Sequence, residues 1–308
     1  MPPANRTPIR PRHARAEAET LVGGPARVLE PSPPAVLDEW FADDPVVGPG
    51  IAPVPTADTT WEKWVADHPE HAAWTADRWL AAYRRLPELP AETATTRLAL
   101  HRLAAYVVSP ARRRVTGKIA LRWTLGGIGT PFFGADEQIR IAGTALVRQR
   151  GNAAETEPIT TLRAAAAFVL DDDPDSSWAS QFDVPAAGNL DAPLPVDPTA
   201  AGFLADWYGF AWSVLEELRN DGRSVQPSRV QLWPEHFDCA FTSAGTTFGA
   251  SPGDTAVDEP YLYVLPPRVD DSGLWNAESF PGAILPFGEF VDTADQRGAA
   301  LDFYRPRR

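Results

Sequence analysis

GKIALRWTL (117–125) and EQIRIAGTALV (137–147) decide the fold class. In the first, Ile119, Leu121, Trp123 and Leu125 alternate with Lys118, Ala120, Arg122 and Thr124, the period of a half-buried strand. The second repeats the habit, and Gly126, Gly127 and Gly129 lie between them, so 117–148 reads as strands joined by a Gly-rich turn.

The segments around this core have a different period. TTWEKWVADHPEHAAWTADRWLAAYRRL carries capping-box spacing at Thr59 and Glu62, a Pro69 suited to a first helical turn, and apolar residues at helical spacing. A further helix over roughly 91–108 shows the stripe Leu100, Leu103, Ala104 and Val107 and is expected to close at Pro110. ITTLRAAAAFVL also reads as a helix. TAAGFLADWYGFAWSVLEELRNDG is a longer one, with Leu204, Trp207, Phe210, Ala211, Val214, Leu215 and Leu218 facing inward and Gly222 as its stop. Strands return near 228–233, 237–243, 246–249, 260–265 and 282–286, before a short helix near 292–304. Grouped rather than alternating elements predict an α+β fold, an antiparallel or mixed sheet core covered by helices. One domain is expected over 58–308, with a helical layer at 58–110 and the sheet core with its helices at 117–308. Twelve of the 32 prolines lie in the first 55 residues, which lack apolar periodicity, so 1–57 is expected to be a disordered Pro/Arg-rich tail.

Composition narrows the function classes. A net charge of −13 argues against a nucleic-acid-binding surface. No apolar run reaches the ~20 residues of a membrane span, and the basic start has no apolar segment behind it, so a cytoplasmic setting is expected. The single cysteine, Cys239, rules out an intrachain disulfide and a thiolate metal cluster. His68 and His71 have i, i+3 spacing but no nearby partner. Asp171, Asp172, Asp173 and Asp175 lack the Gly and Glu of a calcium loop. No metal or cofactor is expected, and oligomeric state is left open.

The one stretch that suggests chemistry is LWPEHFDCAF (232–241). Period two after Pro234 puts Phe237, Cys239 and Phe241 on a core face and His236, Asp238, Ala240 and Thr242 on the other. A carboxylate beside an imidazole raises its pKa and fixes its tautomer, as a general base needs. The alternative is that both side chains only hydrogen-bond neighbouring loops. Farther on, Ser251-Pro252-Gly253-Asp254 has strong turn chemistry, and Glu259, Tyr261 and Tyr263 lie on the strand after it.

These motifs, with WNAESFPGAILPF, resemble the signature of a bacterial family of unknown function, domain of unknown function 5996. Its members share a Trp-Pro-x-His-Phe-Asp segment, a Ser-Pro-Gly-Asp turn, a Glu-Pro-Tyr-x-Tyr strand and an aromatic-rich Gly-Ala-x-Leu segment. Trp233, Pro234, His236, Phe237, Asp238, Ser251 to Asp254, Glu259 to Tyr261, Tyr263, Trp275, Gly282 and Ala283 match position by position. Leu100-His101 followed by Gly117-Lys118 is similar to that family's helix and Gly-Lys strand. The resemblance implies which residues are grouped and brings no reaction with it.

Three function classes follow. In the first, a small-molecule ligand sits among Trp233, His236, Asp238, Ser251, Asp254, Glu259, Tyr261, Tyr263 and Trp275. In the second, an enzyme uses His236 as acid or base and Asp238 to orient it, with Lys118 or His101 as electrophilic partner. In the third, an aromatic surface and the Pro-rich tail bind another protein.

Overall fold

The computed structural model describes residues 85–308, apart from 125, 135, 136, 151, 152, 178, 180, 181, 183, 221 and 222. The tail expected at 1–57, the helices expected between 58 and 84, His68, His71, and the expected helix stop at Gly222 lie outside the described residues.

Two five-stranded antiparallel meanders form the core. The first runs β1 (Arg122–Thr124), β2 (Gly127–Gly129), β3 (Glu137–Ala142), β4 (Ala145–Arg150) and β5 (Ala153–Pro158). The second runs β6 (Gln231–Trp233), β7 (Asp238–Ser243), β8 (Thr246–Ser251), β9 (Tyr261–Leu265) and β10 (Ala283–Pro286). Every strand pairs with its sequence neighbour, so within each sheet short turns suffice and no crossover occurs. The sheets meet at one antiparallel bridge, where Leu121 N–H donates to Leu232 O at 2.7 Å and Leu232 N–H returns to Leu121 O at 2.9 Å. The α+β class expected from the grouped periods is what the chain adopts.

The helices are α1 (Thr93–Leu103), α2 (Ser109–Thr116), α3 (Leu162–Leu170), α4 (Pro198–Asn220) and α5 (Gln296–Tyr304). Helix α4 touches β1 and β2 of one sheet and β7 and β8 of the other, so its apolar face covers the join. All seven residues of its expected stripe are buried.

Pro110 does not close the first helix as expected. The chain passes through a π-helical turn, Ala104–Val108, straight into α2, which ends only at Gly117 in the left-handed conformation (φ 74°). Proline has no N–H to give the carbonyl four residues back, that of Tyr106. Asp175 N–H takes that carbonyl instead at 3.0 Å, and the wider π turn absorbs the proline ring. The Asp-rich loop is thereby docked on the helix. Its carboxylates are engaged by arginines: Asp172 and Asp175 by Arg114, Asp173 by Arg163, and Asp171 by Arg148. Strand β5 has no counterpart in the sequence reading. AAETEP is an edge strand that is largely exposed, and it lacks an apolar face to betray it.

Among the described residues no helix is long and apolar enough to cross a membrane.

Candidate functional site

The stretch 232–241 is a β-hairpin whose turn is anchored from below. Trp233 pairs with Asp238, and Phe237 N–H donates to Trp233 O at 2.7 Å. Phe237 adopts φ 58°, a conformation that costs a non-glycine residue on the order of 1 kcal/mol or more. Three contacts hold it. Its ring is buried in the main core and stacks on His101, with ring centroids 4.9 Å apart and planes at 7°. Its carbonyl accepts the Tyr208 hydroxyl of α4 at 2.6 Å. His101 Nε2 donates to Pro234 O at 2.9 Å.

This kink corrects the expected face assignment. Phe237, Cys239 and Phe241 do face the core, and Cys239 is a buried thiol pushed up by desolvation. Period two, however, does not extend back through a turn containing a left-handed residue. His236 therefore stands exposed on the turn instead of following Asp238 and Ala240 along a strand face.

Asp238 belongs to a polar-aromatic cluster on the outer face of the second sheet. Ala240, Gly249, Tyr263 and Ile284 form one row across β7 to β10, and Ser251 and Tyr261 pair in a parallel row two residues away. Tyr263 lies across Gly249, where a Cβ atom would overlap the ring, and its hydroxyl donates to Asp238 Oδ2. Tyr261 OH donates to Asp254 Oδ2 at 2.5 Å, and the two phenol rings are 6.1 Å apart. Trp233, Val257, Phe280 and Ile284 pack around them, half-buried. Strand β8 separates β7 from β9, so the grouping arises across three strands and not from a direct hairpin. The face is closed: Tyr261 is 7% and Tyr263 8% exposed, where the sequence suggested an open cleft. The connection between β9 and β10 closes it by carrying Phe280 back onto Tyr263, edge to face at 6.4 Å.

The electrostatics centre on two carboxylates. Asp238, 7% exposed, has Oδ2 on Tyr263, while its Oδ1 finds no hydrogen-bond partner among the described residues. Glu235 in the turn, 9% exposed, likewise leaves Oε2 without one. Burial raises the Asp238 carboxyl from 3.8 to about 6; Glu235 adds to the rise, and the Tyr263 hydrogen bond and His236 oppose it. Burial, then the nearby Asp238, pushes the Tyr263 phenol well up.

Asp254 shapes the next loop. Its Oδ1 accepts from Ala256 N–H at 2.7 Å and Val257 N–H at 2.9 Å. Gly253, at φ 99°, sits against the Arg97 guanidinium and donates its N–H to Ser251 Oγ at 3.2 Å. Arg97 of α1 donates to the carbonyls of Pro252 and Asp258 and pairs with the Asp258 carboxylate at 3.1 Å.

The structure thus gathers Trp233, Asp238, Ser251, Asp254, Tyr261 and Tyr263, and separates the other candidates. Glu259 accepts Gly288 N–H at 2.6 Å, beside the turn after β10. Trp275 donates Nε1 to Asp270 at 2.8 Å and packs against the main core. Lys118 is exposed after the Gly117 cap, and His101 lies on the core side of the hairpin. Sequence reasoning missed Arg97, Glu235, Gly249 and Phe280. Only Glu235 carried a visible signal, an acid inside the conspicuous 232–241 stretch. Among the described residues no group of three or more His, Cys, Asp or Glu is arranged to hold a metal ion.

Comparison with protein-family models, with curated proteins and with solved structures finds no match to this chain, so the resemblance drawn above stands on its motifs alone.

Proposed function

We propose that this chain binds a small molecule on the outer face of the second sheet, over Asp238, Tyr261 and Tyr263, with Trp233, Phe280 and His236 at the rim. One observation carries the reading: a buried carboxyl that holds one oxygen in a hydrogen bond and leaves the other without a donor. Buried polar atoms in folded proteins are almost always matched, and an unmatched one costs ~1–3 kcal/mol. A few convergent polar groups among aromatic walls are also the usual make-up of a ligand site. Entry requires Phe280 to move, since it closes the face from a loop. The acidic, one-cysteine composition supports a cytoplasmic setting.

A thermal-shift screen against a metabolite library, followed by hydrogen-exchange footprinting of each hit, tests the reading. Hits should protect residues 233–241 and 249–263 and lose their effect in Asp238→Asn. If every hit protects other segments, or none is found, the site is a packing feature.

One observation favours a second reading, an enzyme on the same face. A carboxyl held near pH 6 has the proton affinity that general acid–base catalysis at neutral pH requires. In that reading Asp238, and not His236, is the acid–base group, with Tyr263 as a positioning residue. Turnover of a hit would then vanish in Asp238→Asn while some binding persists.

A further inference from the structure

We infer that the head group bound at this face is a compact organic ammonium, donating N–H bonds to Asp238 and Glu235 between the aromatic walls of Trp233, Tyr261, Tyr263 and Phe280. The inference rests on the small-molecule reading above and names the chemical class of its ligand.

Donor arithmetic leads there. Both phenol hydroxyls of the face are already spent, Tyr263 on Asp238 Oδ2 and Tyr261 on Asp254 Oδ2. Of the fully buried side-chain atoms here, those left without a partner are acceptors: Asp238 Oδ1 and Glu235 Oε2, each on a side chain more than nine-tenths buried. A carboxylate or phosphate ligand would bring further acceptors, and like charge, to oxygens that lack donors. A hydroxyl could supply one donor. An ammonium carries three donors and a positive charge, and charge-assisted bonds are about twice as strong as neutral ones.

The surroundings agree with a cation. Four aromatic side chains pack on the face that carries Asp238, and ring faces attract cations within ~6 Å. Arg97 cannot fill the role internally, because its guanidinium is committed to the 252–258 loop. Of the charged neighbours that bear on Asp238, Glu235 is acidic and His236, exposed on the turn, is basic. A net charge of −13 also steers small cations toward the chain. A divalent metal is disfavoured by the ligand set: these are two carboxylates, and calcium takes six to eight oxygens. The tight packing of the face favours a compact head over a bulky quaternary one.

Isothermal titration of the full chain with benzylammonium and n-butylammonium tests the inference, with benzyl alcohol, benzoate, tetramethylammonium and magnesium chloride as controls. Both primary ammoniums should bind saturably, and the controls should show no binding at the same concentrations. Asp238→Asn and Glu235→Gln should each weaken the ammoniums at least tenfold. Urea midpoints identify any variant that has lost its fold, and Glu235→Gln, which keeps the side chain's shape in the hairpin turn, provides the reading if Asp238→Asn has. If a neutral, anionic, quaternary or metal control binds instead, and does so through Asp238, the ammonium class is wrong and the site stands. If nothing binds, or binding survives both variants, the ammonium class falls, and the metabolite screen alone decides the site.

Discussion

The Tyr263 hydroxyl reaches Asp238 by crossing a whole strand: its ring spans β8 at Gly249 and donates to a carboxylate on β7. Gly249 is the condition for that reach, because any larger residue occupies the volume the phenol needs. The hydrogen bond turns a buried acid into a fixed acceptor with one free oxygen.

Gly249→Ala should therefore cost ~1–3 kcal/mol through overpacking, read as a fall in the urea midpoint. The same substitution in a Tyr263→Ala background should cost less than half as much, since the ring it strikes is gone. Equal costs in the two backgrounds would locate the strain elsewhere in β8.

Asp238 should leave a signature in the pH dependence of stability. Its folded carboxyl titrates at about 6 against 3.8 unfolded, so between those values the folded chain keeps a proton that the unfolded chain releases. Its contribution is complete below about 3.8 and is lost as pH rises through 6. Asp238→Asn removes that loss. The stability of the variant relative to wild type should rise by ~1–3 kcal/mol between pH 4 and pH 7.5 in urea titrations. A difference that does not change with pH would mean the carboxyl titrates normally.

His101 should act in the opposite direction. Burial lowers its imidazole from 6.5 to about 4, despite hydrogen bonds to the hairpin backbone that favour the charged form. Unfolded chains take up a proton below 6.5 that the folded chain refuses, so His101 adds stability as pH rises from 4 to 6.5. His101→Phe keeps a ring against Phe237 but abolishes the titration. Its urea midpoint should follow a shallower rise over that window than wild type, offset downward by ~1–2 kcal/mol for the unmatched Pro234 carbonyl. Parallel profiles would contradict the shift.

How much of this was legible depended on the range of the interactions. Alternation within 137–147 and the seven-residue stripe of α4 are local, and the β3–β4 pair and the covering helix follow from them; the division of the strands into two sheets does not. The outer-face grouping of Asp238 with Tyr261 and Tyr263 was legible in kind, because strand alternation assigns faces. Three things were not. A left-handed Phe237 leaves no mark in an ordinary Phe, yet it turned His236 out of the row it was expected to share. Gly249 could not be told from a strand glycine with nothing above it, because the phenol it admits comes from 14 residues downstream. Pro110 read as a helix stop because the Asp175 N–H that satisfies Tyr106 lies 69 residues past that carbonyl.

Arg97 is the last residue whose role only the fold reveals, and it is open to direct test. It sits on α1, in sequence far from the turn motif it serves, and its guanidinium gathers the carbonyls of Pro252 and Asp258 with the Asp258 carboxylate. Those contacts fix the loop whose Asp254 receives the Tyr261 hydroxyl, so Arg97 sets the position of one wall of the face. Its side chain is only 13% exposed but the Asp258 carboxylate is 83% exposed, so the ion pair is solvent-screened and the bonds to the loop carbonyls carry the larger share. Arg97→Met keeps the apolar stem and removes every donor, and should cost ~2 kcal/mol. The loss should be local: amide exchange should quicken across 252–258 while β7 and the core strands of the first sheet keep their protection. Arg97→Lys, a point charge in place of a fork, should recover less than half of the lost stability. If exchange instead quickens throughout the second sheet, Arg97 supports the domain as a whole and the Ser251-to-Asp258 loop holds its shape without it.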